Sequence, residues 1–223
     1  MPRKTLVRTA DRPYHITNRS NNRDYFYLEK SELWQIFMNC YEQLIQQYQC
    51  ELHAFVLMSN HYHLIISTPN CNIGEAMKYL HREVARQANQ QSKRTNHFFG
   101  GRYKWSLIAQ ENYYWTAIRY VFRNPVRAGI CNSVTDYPYS SLNRASPSFQ
   151  WQLANFFTDR QQIVELDTDW LNQCIDHEAE QAVKKALRRR EFEAPRQKCG
   201  HRPTYDTARF KKGTATLANL SPV

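Results

Sequence analysis

Two short apolar segments, ELHAFVLM at residues 51–58 and HYHLIIS at 61–67, are separated only by Ser59-Asn60. A two-residue connection between runs of strand length leaves room for one arrangement, an antiparallel hairpin. An amphipathic helix is read on each side of it. Ser31–Tyr48 places Leu33, Ile36, Phe37, Cys40 and Leu44 at helical spacing, and Ile73–Gln91 carries Met77, Leu80, His81, Val84 and Ala88 on one face with Lys78, Arg82, Arg86, Asn89 and Lys93 on the other. Pro13–Ser20 alternates as a strand before the NNRD turn, and Arg102–Ala109 reads as a fourth strand after the Gly100-Gly101 bend. A further helix, Glu111–Arg123, is expected to stop at Asn124-Pro125, because a residue before proline is pushed out of the helical region. The order β-α-β-β-α-β-α predicts an α+β fold of ferredoxin-like or RRM-like type: an antiparallel four-stranded sheet with helices on one face. That architecture hosts many functions, so the site has to decide.

The net charge of +10 and pI of about 9.4 point to a polyanionic partner. The charge is unevenly spread. Residues 1–150 carry 18 Lys/Arg against 10 Asp/Glu, 151–183 carry 1 against 7, and 184–223 carry 11 against 3. Asp169–Arg190 reads as one long helix with acids early and bases late, which suits the helix dipole as well as it suits contact with nucleic acid. Beyond Glu193 the sequence reads as an extended basic tail. The organisation expected is therefore a main domain over 1–150, a helical extension over 151–192 and a flexible tail over 193–223. His53–Ser67 is too interrupted by polar residues to span a bilayer, and MPRKTLVRTADRPYH lacks the apolar stretch of a secretory signal, so no membrane partner and a cytoplasmic location are expected. The six cysteines show no C-x-x-C spacing and read as unbridged thiols.

On strand 61–67, His61 and His63 flank Tyr62, so both imidazoles leave the same face about 7 Å apart. That spacing suits a metal ion, although two ordinary half-buried histidines would look the same. On the helix 111–123, Tyr114, Ile118, Val121 and Phe122 form the core stripe, whereas Tyr120 and Asn124 lie opposite it with Tyr113, Thr116 and Arg123. Tyr120 and Asn124 are one turn apart and therefore neighbours. Taken alone, the first could be a partly buried surface tyrosine and the second a simple helix end. His53 and His81 read as structural, and His15 and His97 carry no assignment.

The strand MSNHYHLII, the segment GGRYKWSLIAQENYYWTAIRYVFRNPVRAGI and the later DYPYSS together resemble the single-tyrosine transposases of the IS200/IS605 type, and most of all the REP-associated tyrosine transposases. The resemblance covers about residues 10–145, and more loosely the helix WLNQCIDHEAEQAVKKALRRR. It implies that His61 and His63 hold a divalent metal, that Tyr120 attacks DNA to give a 5′-phosphotyrosyl linkage and a free 3′-OH, and that Asn124 completes the metal shell. Gln is usual in that last position in the insertion-sequence branch, so Asn124 favours the REP-associated branch. Oxygen donors beside two imidazoles suit Mg²⁺ or Mn²⁺. The implied substrate is single-stranded DNA carrying a palindromic hairpin, and the implied state is a monomer rather than a helix-swapped dimer. For DNA contact the candidates are the turn Arg19, Asn21, Asn22 and Arg23, together with Arg82, Arg86, Arg102, Tyr103 and Arg123; Tyr14, Trp105, Tyr113 and Arg119 are further possibilities.

Two other readings compete. One is a catalytically silent nucleic-acid-binding module of the same fold. The other is a zinc hydrolase built on His61 and His63. Within the transposase reading, Tyr113 is the rival nucleophile, two turns before Tyr120.

Overall fold

In the computed structural model, which describes residues 5–95, 97–142, 154–155, 159–163, 166–174 and 177–192, the chain opens with β1 (Tyr14–Arg19) and a 3-10 turn at Asn21–Arg23. It continues through α1 (Lys30–Tyr48), β2 (Glu51–Leu57), β3 (His61–Ser67), α2 (Ile73–Ser92), β4 (Lys104–Ile108) and α3 (Glu111–Phe122). A reciprocal capping box between Glu29 and Glu32 starts α1, and Gln49 in the left-handed region ends it. The β2–β3 hairpin closes where the spacing predicts, with the Met58 amide donating to the His61 carbonyl at 2.8 Å. Gly100 is needed at the bend before β4: its amide donates to the Arg19 carbonyl at 2.9 Å, and a Cβ there would stand 2.8 Å from the Ser20 carbonyl oxygen.

Two helical expectations are corrected. Helical backbone does not end before Pro125 but runs on as one further turn, α4 (Asn124–Arg127), in which the proline occupies an early position where its missing N–H leaves nothing unpaired. A small antiparallel pair, β5 (Ala154–Asn155) with β6 (Asp159–Ile163), precedes the C-terminal helices. The long helix expected over 169–190 is two helices, α5 (Thr168–Asn172) and α6 (His177–Ala186), because Gln173 takes an extended ψ of 135°. Strand β7 (Glu191–Phe192) follows.

The main sheet has the order β2-β3-β1-β4-β7 and is antiparallel except for the short parallel pairing of β7 with Leu107–Ile108. It therefore has five strands, one more than expected. Helices α1 and α2 cover one face, packing on Tyr14, Ile16, Phe55, Tyr62 and Leu64. The other face is not open. There α3 packs on Ala54, Val56, Met58 and Ile65, and Trp170, Leu171, Val183, Ala186 and Leu187 of the C-terminal helices close over it, so helices lie on both faces rather than one. ELHAFVLM shows why: a run apolar at nearly every position, instead of at alternate ones, belongs to a strand buried on both sides.

His53 and His81 are structural, as expected. His53 Nδ1 bonds the Tyr114 hydroxyl (3.0 Å) and Nε2 bonds Ser67 Oγ (2.8 Å), while His81 links the Tyr62 hydroxyl (2.7 Å) to the Met77 carbonyl (2.7 Å). Cys40 and Cys50 are buried and unbridged. Among the described residues no helix is long and apolar enough to cross a membrane. The division expected at residue 150 and the basic tail 193–223 lie outside the described residues.

Candidate active site in a cationic cleft

Register brings the histidines together. β1 pairs antiparallel with β3 so that Arg19 stands opposite His61, Thr17 opposite His63 and His15 opposite Ile65. Alternation then puts His15, His61 and His63 on the face that α3 covers. His15 Nε2 lies 2.9 Å from His63 Nδ1, and His61 Nδ1 lies 2.7 Å from Asn60 Oδ1. If each Nδ1 of the β3 pair carries the proton it donates to these acceptors, both Nε2 lone pairs remain for a cation. Burial pushes the His61 imidazole down to about 4, with Arg127 and Lys184 adding to the effect. It pushes His15 to about 3, and holds His63 well below the usual imidazole range with help from the two neighbouring histidines. All three rings are therefore neutral at pH 7, the state in which imidazole can ligate a metal.

Helix α3 lays Tyr120 against this group. The Tyr120 ring meets His63 edge-to-face with centroids 5.6 Å apart, and His15 at 6.2 Å. Asn124, one turn on, is buried; its amide nitrogen donates to the Tyr120 carbonyl at 2.8 Å and its Oδ1 accepts from Arg127 Nη2 at 2.6 Å. Arg127 also lies over the Tyr120 ring, 4.7 Å from its centroid, with Nη2 3.4 Å from the hydroxyl. Two residues here escaped the sequence reading. His15 was hidden because strand register is not written in β1 alone. Arg127 could have been found: once α4 is granted, it lies three residues after Asn124 and seven after Tyr120, on the same helical face.

These side chains open into a cleft of about 550 Å³. Among the described residues seven cationic side chains line it (Arg19, Arg23, Arg102, Lys104, Arg127, Lys184 and Arg188) and no carboxylate does. Of the expected DNA contacts, Arg19, Arg23 and Arg102 face this cleft, and Asn21 and Asn22 are exposed on the adjoining turn. Tyr103 stands outside it, half-buried and stacked on His81 at 5.3 Å, in a neighbouring groove that also holds Trp105. Arg82 and Arg86 sit on α2, across the sheet from Tyr120, where both bond Glu83. The structure does not bring them to the cleft.

Arg123 is not available to DNA. It is buried and donates to the carbonyls of Leu171 (3.0 Å) and Asn172 (2.8 Å), with Glu180 at 3.6 Å. Arg119 is buried likewise, bonding the Gln173 carbonyl at 2.8 Å and packing on Trp170. Tyr113 and Thr116 share this covered face, and Tyr113 packs on Phe192. The helix wheel set this side of α3 apart from the core stripe, but Tyr113, Thr116, Arg119 and Arg123 are buried, and Tyr120 from the same side rests on the sheet histidines. Tyr14 is fully buried too, its hydroxyl bonding the Val7 carbonyl, and cannot stack on a base.

The donors suit a hard divalent cation. Two imidazole nitrogens and one amide oxygen leave several coordination places for phosphate oxygens or water, as Mg²⁺ and Mn²⁺ require. Among the described residues no group of three or more His, Cys, Asp or Glu converges as a metal site.

Comparison with known proteins bears on the family and the fold. A family model described as an IS200-like transposase matches residues 9–124. A Haemophilus influenzae protein that provisionally carries the name REP-associated tyrosine transposase is 28% identical over 119 residues, spanning 48% of this chain and 68% of that one. The solved structure of a REP-associated tyrosine transposase bound to a REP hairpin superposes with a TM-score of 0.56 over 71% of this chain and 94% of its own, at 20% identity, which establishes a shared fold.

Proposed function

The chain belongs to the IS200-like transposase family, and on that premise we propose that it cleaves and rejoins single-stranded DNA beside a hairpin, with Tyr120 as nucleophile. One observation carries the reading: the Tyr120 phenol, the two imidazoles and the Asn124 amide, which come from elements far apart in the chain, line one cleft in which, among the described residues, seven cations and no carboxylate stand. The relative solved with a REP hairpin supports a hairpin as the substrate.

In the proposed reaction the Tyr120 oxygen forms a bond to phosphorus as the bond from phosphorus to the 3′-oxygen breaks. The phenol proton leaves to water and the departing oxygen takes a proton to become the 3′-OH. The 5′-phosphotyrosyl bond conserves the energy of the diester, so an incoming 3′-OH reverses the step without ATP. His61 and His63 would hold Mg²⁺ or Mn²⁺ through Nε2, and Asn124 through the second lone pair of Oδ1, the first being taken by Arg127. A cation there, once bound, would neutralise charge on the phosphate and align it for attack. Arg127, over the Tyr120 ring, would stabilise negative charge on the attacking oxygen. The packing of α3 against α5 and α6 of its own chain supports action as a monomer.

The test is covalent capture. A labelled single-stranded hairpin oligonucleotide incubated with protein and Mn²⁺ gives an SDS-resistant adduct that chelation with EDTA abolishes, and mass spectrometry finds the nucleotide on Tyr120. Tight binding without any adduct would favour the silent module, and hydrolysis indifferent to Tyr120 would favour the zinc enzyme.

His15 enters as a positioning residue. It fixes which nitrogen of His63 carries the proton, so His15→Ala lowers Mn²⁺ affinity about 10- to 100-fold, the usual effect of losing a partner of a metal-bound histidine. Calorimetric titration with Mn²⁺ in the absence of DNA reads this directly. His15→Gln, whose amide oxygen can accept the same hydrogen bond, restores most of it. Equal affinity in all three proteins would show that His15 only fills space.

A further inference from the structure

The stretch that the IS200-like family model matches ends at residue 124, yet one wall of the cleft is built from α6, some sixty residues further on. Lys184, Leu187 and Arg188 have the spacing of one helical face and all three line the cleft. Lys185, the next residue round, is exposed and is not among the residues that line the cleft.

This placement is anchored at both ends. Before α6, the carbonyls of Leu171, Asn172 and Gln173 are gripped by Arg123 and Arg119 of the tyrosine-bearing helix. Within it, Val183 and Ala186 are buried against α3, as is Leu187 just past its end. After it, the Arg190 carbonyl accepts from the Leu107 amide at 2.9 Å and β7 joins the sheet. Arg188 has a second setting: it also borders the neighbouring groove of about 910 Å³, where Tyr103 and Trp105 offer aromatic faces beside Lys78, Arg102 and Lys104.

We propose that the C-terminal extension is a working part of the DNA-binding surface, in which Lys184 and Arg188 bind backbone phosphates of the single strand as it leaves the catalytic cleft for the Tyr103–Trp105 groove. The proposal rests on the transposase reading for the identity of the ligand. The extension thus does two jobs: Glu180 and the apolar residues hold α3 in place, while Lys184 and Arg188, further along the chain, border the substrate cleft. The charge asymmetry of the chain acquires a reason, since Glu180 faces the buried arginine clamp while Lys184, one turn on, faces the cleft.

Fluorescence anisotropy of the full-length protein with a labelled hairpin oligonucleotide, with and without a single-stranded flank, tests this. Lys184→Gln and Arg188→Gln each weaken binding of the flanked oligonucleotide about fivefold at 0.1 M salt, and each reduces the slope of log K against log salt by about 0.7, the effect of one phosphate contact on a single strand. Lys185→Gln changes neither quantity, and all three variants bind the flankless hairpin as the parent does. Equal losses for Lys184→Gln and Lys185→Gln would reduce the effect to bulk charge and overturn the proposal. So would an unchanged Lys184→Gln, or a loss that persists without the flank. Failure of the transposase reading looks different, because the parent protein then forms no adduct at all.

Discussion

Tyr120→Phe abolishes the covalent DNA adduct while the protein keeps its fold and its affinity for the hairpin. The substitution removes one oxygen. The ring stays where His63, His15 and Arg127 surround it, since those contacts at 5.6, 6.2 and 4.7 Å are made by the ring rather than the hydroxyl. Arg127 Nη2 stands 3.4 Å from the hydroxyl, too long for a strong hydrogen bond, so the stability change stays within about 1 kcal/mol. Strand cleavage, by contrast, loses its nucleophile outright, and its rate falls by ~10⁴-fold or more. No other phenol can step in along this helix: Tyr113 is buried against Phe192 and Tyr114 is tied to His53 beneath the sheet. An adduct of undiminished yield in Tyr120→Phe would mean that a different residue attacks, and the whole assignment of the cleft would have to be redrawn.

Arg123→Ala gives the largest loss of stability, about 3 to 5 kcal/mol in urea unfolding. The guanidinium donates to two carbonyls, those of buried Leu171 and half-buried Asn172. It also balances Glu180, whose side chain is only 13% exposed. At 3.6 Å the Nε contact to Glu180 is a charge interaction rather than a hydrogen bond, so the carbonyl pair accounts for the geometry and the carboxylate for the charge. Without Arg123 a buried carboxylate and two carbonyls lose their partner at once. Arg123→Lys recovers only part of the loss, because one ammonium cannot match the fork that reaches both carbonyls. Glu180→Gln added to Arg123→Ala recovers the share due to the stranded charge, which a double-mutant cycle isolates. A midpoint for Arg123→Ala within about 0.5 kcal/mol of the parent would return this residue to the surface and to DNA.

The order of elements was legible because each depends on local chemistry: apolar alternation for β1, a two-residue turn for the hairpin, helical periodicity for α1 and α2. The pair His61 and His63 was legible for the same reason, since strand alternation alone aligns them. Arg123 was misread because a helix wheel shows which residues share a side and not what lies against that side. Its partners are carbonyls nearly fifty residues away, and a backbone carbonyl leaves no mark in a sequence. Lys184 was left undecided because a run of late bases satisfies a helix dipole and a phosphate equally well.

From the amino-acid sequence alone came β1 to β4, α1 to α3, the basic character and the candidate residues His61, His63, Tyr120 and Asn124. Tertiary structure decided who meets whom: His15 with His63 across the β1–β3 register, Arg127 with Tyr120 through a helix that continues past Pro125, and α6 with the cleft. The physical reason is range. Propensity and periodicity act over a few residues, whereas register, docking of the extension and the burial of a charge are settled only when distant segments exclude water together.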